Sequence, residues 1–340
     1  MVQMGFVLTL ILAQVLFGSF MASVMAMDLS TAILMRVDQS GRGDFRKIQD
    51  AIDAVPPNNN QLFFILVNPG TYTEKVVVPA DKPYITLSGR NPSTTIITSN
   101  QGGDIFQSPS VTIFASNFVG LYLTIQNTFG AAGRAVALRV SGDRAAFYGC
   151  RIISYQDTLL DDVGMHYYRS CYIEGATDFI CGNALSLFDK CHIHSVSRNK
   201  GWITAQHRDS ASENTGFSFV GCRISGVAPA FLGRPWGAYS TVVFALTYMP
   251  SVIIPQGWDN WGGDKSKEST AYFGEYQCYG PGAGRTKRAP WSRGLSNGDA
   301  TPFMNMSMIG GGGWLRPIPT KFKRWSGKAV VENVDVPTIG

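Results

Sequence analysis

Apolar and variable positions alternate through the middle of this chain in a unit that recurs. The unit is an aromatic or large residue, two variable positions, a small or apolar residue, a variable one and an aliphatic. It reads Phe147-x-x-Cys150-x-Ile152, Tyr168-x-x-Cys171-x-Ile173, Phe188-x-x-Cys191-x-Ile193 and Phe219-x-x-Cys222-x-Ile224, with looser copies at Phe118-x-x-Leu121-x-Leu123 and Phe244-x-x-Thr247-x-Met249. Alternation over about six positions is a strand signal, and no segment between copies keeps a helical spacing of three and four. Cys150 and Cys171 lie 21 residues apart and Cys171 and Cys191 lie 20 apart, while the outer intervals are longer. A period of this length predicts a solenoid with variable loops on a fixed scaffold. The fold class expected is all-β, a parallel β-helix.

The flanks carry different signals. Asp44-Phe45 leads into Ile48, Ile52 and Val55, a short amphipathic helix stopped by Pro56-Pro57 that would cap the open end of the solenoid. Asp44 is expected to cap that helix and Glu74 to tie a turn. Strands are predicted at 62–67, 75–78 and 84–88, and the repeats proper run from about Phe118 to Met249. Beyond them, Trp258, Trp261, Pro281-Gly282 and the glycines at 310–313 predict a loop-rich C-terminal tail folded back on the barrel, loosely ordered from about Lys321.

The repeat has a chemical consequence. Asp157 follows Cys150 by seven residues, and Asp178 follows Cys171 by seven. Equivalent residues of adjacent coils lie one strand spacing apart, roughly 4.8 Å. Two carboxylates at that distance resist ionising together, so one holds a proton and the other stays charged: one acid, and one nucleophile or base. Solvated turn aspartates are the plain alternative. Gln156, directly before Asp157, offers an amide donor of the kind an oxyanion needs. Arg234, in Leu232-Gly233-Arg234-Pro235-Trp236, can hold a neighbouring carboxylate ionised, and Trp236 presents a flat face suited to a sugar ring.

Composition narrows the partners. The formal charge is +5 with a pI near 8.8, which favours an acidic partner. The basic residues are scattered, which argues against nucleic acid, whereas an acidic polysaccharide fits. Residues 1–26 carry no charged side chain and end in Ala22-Ser23-Val24-Met25-Ala26, the pattern of a signal peptide cleaved near Ala26, leaving a domain at 27–340 with no membrane attachment. Cys150, Cys171, Cys191 and Cys222 share one repeat position and are expected to form a mostly reduced, buried ladder. His192 and His194 flank Ile193 and are expected to point outward from a strand, with no role assigned to them, to His166 or to His207.

Gly70-Thr71-Tyr72-Thr73-Glu74, Gln156-Asp157-Thr158-Leu159, Asp178-Phe179-Ile180-Cys181-Gly182 and Leu232-Gly233-Arg234-Pro235-Trp236 resemble, in order and spacing, the motifs of plant pectin methylesterases, and the similarity extends from about Gly43 to Leu315. The resemblance implies a right-handed parallel β-helix. It implies hydrolysis of methyl esters of homogalacturonan in the cell wall by a secreted monomer, with no cofactor and no metal. It assigns Asp178 as nucleophile, Asp157 as general acid and base, Gln156 to the oxyanion and Arg234 to orienting Asp178, with Trp236, Arg134 and Thr71 contacting substrate. It also implies a form without the N-terminal inhibitor-like pro-region of many plant relatives.

Three positions depart from the family pattern. Arg134-Ala135-Val136-Ala137-Leu138 stands where the family has Gln-Ala-Val-Ala-Leu, Cys181 replaces an aromatic before Gly182, and Leu160 replaces one after Leu159. Altered subsite preference or a reduced rate is the expected result. Two alternatives follow: a catalytically impaired wall-binding protein on the same fold, or another β-helix pectinase. A lyase would need calcium, for which Asp161-Asp162 is the candidate.

Overall fold

The computed structural model describes residues 29–325. The predicted signal segment lies outside them. Short parallel strands stack in three sheets, one of twelve strands and two of seven, so that each central coil contributes one strand to each sheet. The long sheet includes Ala145–Tyr148, Met165–Arg169, Leu185–Asp189, Gly216–Val220 and Thr241–Ala245. A second sheet, which carries the candidate site, includes Leu159–Asp161, Thr177–Gly182, Gly201–Gln206 and Ala230–Pro235. The third includes Gly70–Thr73, Tyr172–Gly175 and His192–Ser195.

The sequence repeat is the corner between the long and third sheets. Phe147, Tyr168, Phe188, Phe219 and Phe244 stand in register, and their rings stack at centroid distances of 5.2, 4.7, 4.4 and 4.5 Å. Such contacts add to the area that the rings bury. Next comes a residue in the left-handed region, Gly149, Ser170, Lys190, Gly221, Leu246 and Gln277 in successive coils, which turns the chain. The ladder residue after it donates back to the carbonyl of the aromatic row one coil earlier: Cys171 to Phe147 at 3.5 Å, Cys191 to Tyr168 at 3.4 Å, Cys222 to Phe188 at 3.3 Å. Thr247 continues the row to Phe219 and Cys278 to Phe244, each at 3.3 Å. Cys278, without a place in the sequence repeat, is thus its last rung. All six thiols are free, as expected of a reduced ladder.

The first loose copy is out of register by two residues. Phe147 pairs with Gly120, and Arg151 with Thr124, so Leu123 takes the cysteine position after left-handed Tyr122. A Cβ on Gly120 would come within 2.6 Å of the Phe147 ring. Phe118 fills the row from beside it, 5.7 Å from Phe147. Size complementarity shifted the aromatic, not the coil.

Both ends of the solenoid are closed. The helix Ile48–Ala54 buries Ile48, Ala51 and Ile52 against the first coil. Its first N–H groups, on Ile48 and Gln49, donate to the Glu74 carboxylate at 3.0 and 3.1 Å, while Asp44 accepts from the Arg36 N–H. The expected roles of Asp44 and Glu74 are therefore exchanged. The predicted loose end is corrected over its first residues: Lys321–Arg324 is a strand paired with Thr31–Val37, which covers the edge of the long sheet, and the rest of that prediction, 326–340, lies outside the described residues. At the far end, Glu275 and Arg288, each 2% exposed, form an ion pair that Arg285 and the indole of Trp258 complete. The tail folds back as predicted, with Ser218 donating to the Phe303 carbonyl.

Thiol titration in denaturant without reductant is expected to find six free cysteines, and a value of four or fewer would contradict the reduced ladder. Glu275→Ala leaves Arg288 buried without its counter-ion and should cost about 3–5 kcal/mol, read as a lowered unfolding midpoint. A midpoint within error of the parent would show that the pair is dispensable.

Candidate active site

The second sheet brings the two aspartates together. Leu159 pairs with Ile180, Leu160 with Cys181, and Gln156 bridges to Thr177, so Asp157 and Asp178 share one register position. The Asp157 N–H donates to the Thr177 carbonyl at 3.1 Å. Both aspartates have left-handed backbones, φ 58° and 48°. Asp tolerates that region better than most residues, at a cost of about 1–2 kcal/mol. The pairing of Thr177–Gly182 with its neighbour also slips between Thr177 and Ile180, a bulge placed at Asp178. Bulges re-aim side chains, and this one turns a carboxylate out of the strand's ordinary alternation.

Arg234 supplies the asymmetry. Ala205 pairs with Arg234 and Cys181 with Ala205, which sets the guanidinium two coils beyond Asp178's strand position. It binds Asp178 through both oxygens, Nε to Oδ1 at 2.8 Å and Nη2 to Oδ2 at 2.6 Å. Trp202 and Trp261 hold the cation between their rings, 4.5 and 4.2 Å from the guanidinium carbon. Trp202 is fixed in turn by its bond to Asp259.

The electrostatics divide the pair. Burial, together with the charge of Asp178, pushes Asp157 up to about 7, and Arg134 and Arg234 act against that rise. Burial also raises Asp178, opposed by the hydrogen bonds and charge of Arg234. With a guanidinium bound to both oxygens, Asp178 is the charged member. Asp157 has no hydrogen-bonded cation among the described residues, and it holds the proton.

Asp157, Asp178, Gln156, Arg234, Arg134 and Trp236 all line one cleft of about 260 Å³. Arg134 is exposed at its edge and forms no ion pair among the described residues. Trp236 lies 4.1 Å from the His207 ring, and its carbonyl accepts from Lys267 at 2.8 Å. Thr71 is placed elsewhere: it is exposed on the third sheet, where its carbonyl accepts from Gln39. Leu160 and Cys181 pack with Ile105, Val136 and Ala205 into an apolar floor beneath Trp236 and Trp261. Sequence reasoning missed Trp261, Trp202 and Ile105 as site residues. Trp261 sits in a loop beyond the repeats, with no periodic position to mark it, whereas Trp202 pairs with Thr177 and was reachable by counting from the repeat.

The calcium candidate dissolves. Asp161 is fully buried, accepting from Tyr168 at 2.7 Å, from Ser186, and from His166 at 2.6 Å. Asp162 is held by Arg139 at 2.8 Å and Ser141 at 2.7 Å. His192 and His194 are half-buried and share the Ser225 hydroxyl, each at 2.7 Å.

An ionised carboxylate locked by a bidentate arginine, beside a protonated carboxyl and an amide, is equipped for acyl transfer from an ester. Comparisons with known proteins agree. The Pectinesterase family profile matches residues 35–312. An Arabidopsis thaliana protein assigned provisionally as pectinesterase 11 is 62% identical over 300 residues, 88% of this chain and 85% of that protein. Pectinesterase QRT1 of the same plant is 43% identical, covering 82% of this chain and 78% of its own. The carrot pectin methylesterase structure, 34% identical, superposes with a TM-score of 0.79 over 86% of this chain and 96% of its own. The chain belongs to the pectinesterase family, the carboxylic ester hydrolases of pectin, on their right-handed parallel β-helix.

Proposed function

We propose that Asp178 attacks the methyl ester of a galacturonate unit in homogalacturonan while Asp157 transfers the protons, in a protein secreted to the cell wall and active as a monomer. The observation that carries this reading is the unequal pair: Asp178 clamped by Arg234 at 2.8 and 2.6 Å, and Asp157 raised to about 7. A carboxylate oxygen of Asp178 adds to the ester carbonyl carbon, and the oxyanion accepts a hydrogen bond from the Gln156 amide. Asp157 then gives its proton to the methoxy oxygen, and methanol leaves an acyl-enzyme anhydride. Asp157, now ionised, takes a proton from water as that water attacks the acyl carbon. Collapse frees Asp178 and leaves a uronate carboxylate on the polymer. Trp236 and Trp261 offer rings to the sugar. Arg134, a cation at the cleft edge, reaches toward the acidic chain.

Support for secretion is the composition of residues 1–26 and the fact that, among the described residues, no helix is long and apolar enough to cross a membrane. The pectin methylesterases of solved structure include one bound to a hexasaccharide, 25% identical to this chain with a TM-score of 0.70. That relative supports an oligosaccharide ligand here.

Methanol release from methylated pectin, with polymer length unchanged, is the direct test. Release no greater than that of Asp178→Ala would leave a binding protein only, and shortened chains would point to a depolymerase. Asp157→Asn should lower kcat by roughly 10²–10⁴-fold. Because Asp157 is raised to about 7 and must start protonated, kcat/KM should fall as pH rises through about 7. The stability linkage has the same sign: the folded form binds a proton that the unfolded chain releases from about 3.8 upward, so the stabilisation present below that value is lost as pH rises toward 7. Arg134 opposes the rise, so Arg134→Gln should move the alkaline limb to higher pH. An unmoved limb would show that its charge does not reach Asp157.

A further inference from the structure

A second groove lies one wall away from the cleft. The strands Gly201–Gln206 and Ala230–Pro235 continue into His207-Arg208 and Trp236–Tyr239, which are tied together by Gly237 N–H to the Gln206 carbonyl at 3.1 Å and Tyr239 N–H to the Arg208 carbonyl at 2.8 Å. After Pro235 the chain bends and turns through Trp236–Tyr239, so Trp236 lines the cleft while Tyr239 lines the groove behind it. On one side of this wall, Trp236 lines the cleft, with the His207 ring 4.1 Å from its own. On the other, Arg208 and Tyr239 line an open groove of about 600 Å³ with Asn214, Thr270, Tyr272 and Phe303.

Two observations say what the groove would take. The half-buried Arg208 guanidinium donates only to neutral oxygens, the Ser210 carbonyl at 3.0 Å, the Ala211 carbonyl at 2.7 Å and the Thr241 hydroxyl at 3.2 Å. It forms no ion pair among the described residues, so its charge is left for a ligand anion, and guanidinium geometry suits a carboxylate. The Tyr272 ring is held in place, 5.6 Å from Phe303 and 4.6 Å from the Arg293 guanidinium. Among the described residues Tyr239 makes no ring contact of this kind, which leaves its face for the CH face of a sugar.

We propose that this groove binds a second stretch of the same acidic polysaccharide that the cleft works on, with Arg208 pairing a uronate carboxylate and Tyr239 lying under a sugar ring. The proposal rests on the proposed function for the identity of the polymer. A chain leaving the cleft past Trp236 would cross the wall at Gly237–Tyr239 to reach the groove. The groove lengthens the hold on polymer without touching the reacting ester, and it acts on affinity and not on the chemical step.

The test separates binding from turnover. A fully de-esterified galacturonate oligomer, which is not a substrate, is titrated calorimetrically into the parent, Tyr239→Ala and Tyr239→Phe. Tyr239→Ala should weaken binding roughly three- to tenfold, with Tyr239→Phe close to the parent. In parallel, Tyr239→Ala should raise KM on polymeric pectin by a similar factor at unchanged kcat and leave KM on a methyl-esterified galacturonate dimer unchanged. Equal oligomer affinity in parent and Tyr239→Ala, or an equal KM rise on dimer and polymer, would overturn the groove. Tyr239-dependent oligomer binding in a parent that releases no methanol would support the groove while removing the proposed function.

Discussion

Coil-to-coil register is the constraint on which the rest depends. Parallel strands stacked about 4.8 Å apart hold equivalent residues of successive coils at a fixed separation. In most of this molecule the outcome is apolar: rings stack on rings, and Ile152, Ile173, Ile193 and Ile224 line up in one core row. At Asp157 and Asp178 the same register forces two carboxyl groups into one cleft wall. Neither residue selects that position by its own preferences. Both occupy a backbone region that costs free energy, and both are mostly buried, which costs more for a charge. The many hydrogen bonds of the flanking strands hold them there.

Register alone would produce a symmetric pair, and a symmetric pair shares one proton with no preference for either member. Arg234 breaks that symmetry. Its two hydrogen bonds go to Asp178 alone, and the rings of Trp202 and Trp261 keep it from swinging toward Asp157. The register shift between Thr177 and Ile180 adds to this difference, since it breaks the regular pairing of Asp178's own strand with the next coil. Division of labour between two chemically identical side chains is thus a property of the coil beyond them.

What the sequence disclosed follows from where periodicity holds. Phe147 to Cys222 repeat closely enough to fix the parallel coils, the thiol ladder and the Asp157–Asp178 pairing. Arg234 and Trp236 were reachable through their motif. Legibility fails where the chain leaves the period. The strands Thr31–Val37 and Lys321–Arg324 belong to the first coil and meet across nearly the whole chain, so neither carries a repeat signal. Phe118 misled because a ring can fill a row from two residues away when glycine stands in the register position. Trp261 was invisible as a site residue because a single loop tryptophan has no spacing to count. The exchange of Asp44 and Glu74 has a similar cause: a helix cap can come from a distant bend between strands, and Glu74 is 26 residues from the N–H of Ile48 that it binds.

The carboxylates beyond the pair show why its charge can be so finely divided. Asp161 lies on the strand that follows Asp157, and Asp162 is next to it. Left ionised and unpaired, they would raise both catalytic carboxyls further and blur the difference between them. Each instead has its own cation. Asp162 is matched by Arg139. Asp161 is matched by His166, whose two ring nitrogens face the Asp161 carboxylate at 2.6 Å and the Gly142 carbonyl at 2.9 Å. The Gly142 carbonyl can only accept, so that ring nitrogen carries a hydrogen, and a second N–H toward the Asp161 carboxylate makes the ring an imidazolium. Burial works against that charge, but Asp161, the Gly142 carbonyl and the charge of Asp143 together outweigh it and hold His166 above the usual histidine range. Asp161 and Asp162 are therefore matched locally inside the wall, and the charges that act on Asp157 are those of Asp178, Arg134 and Arg234 in the cleft.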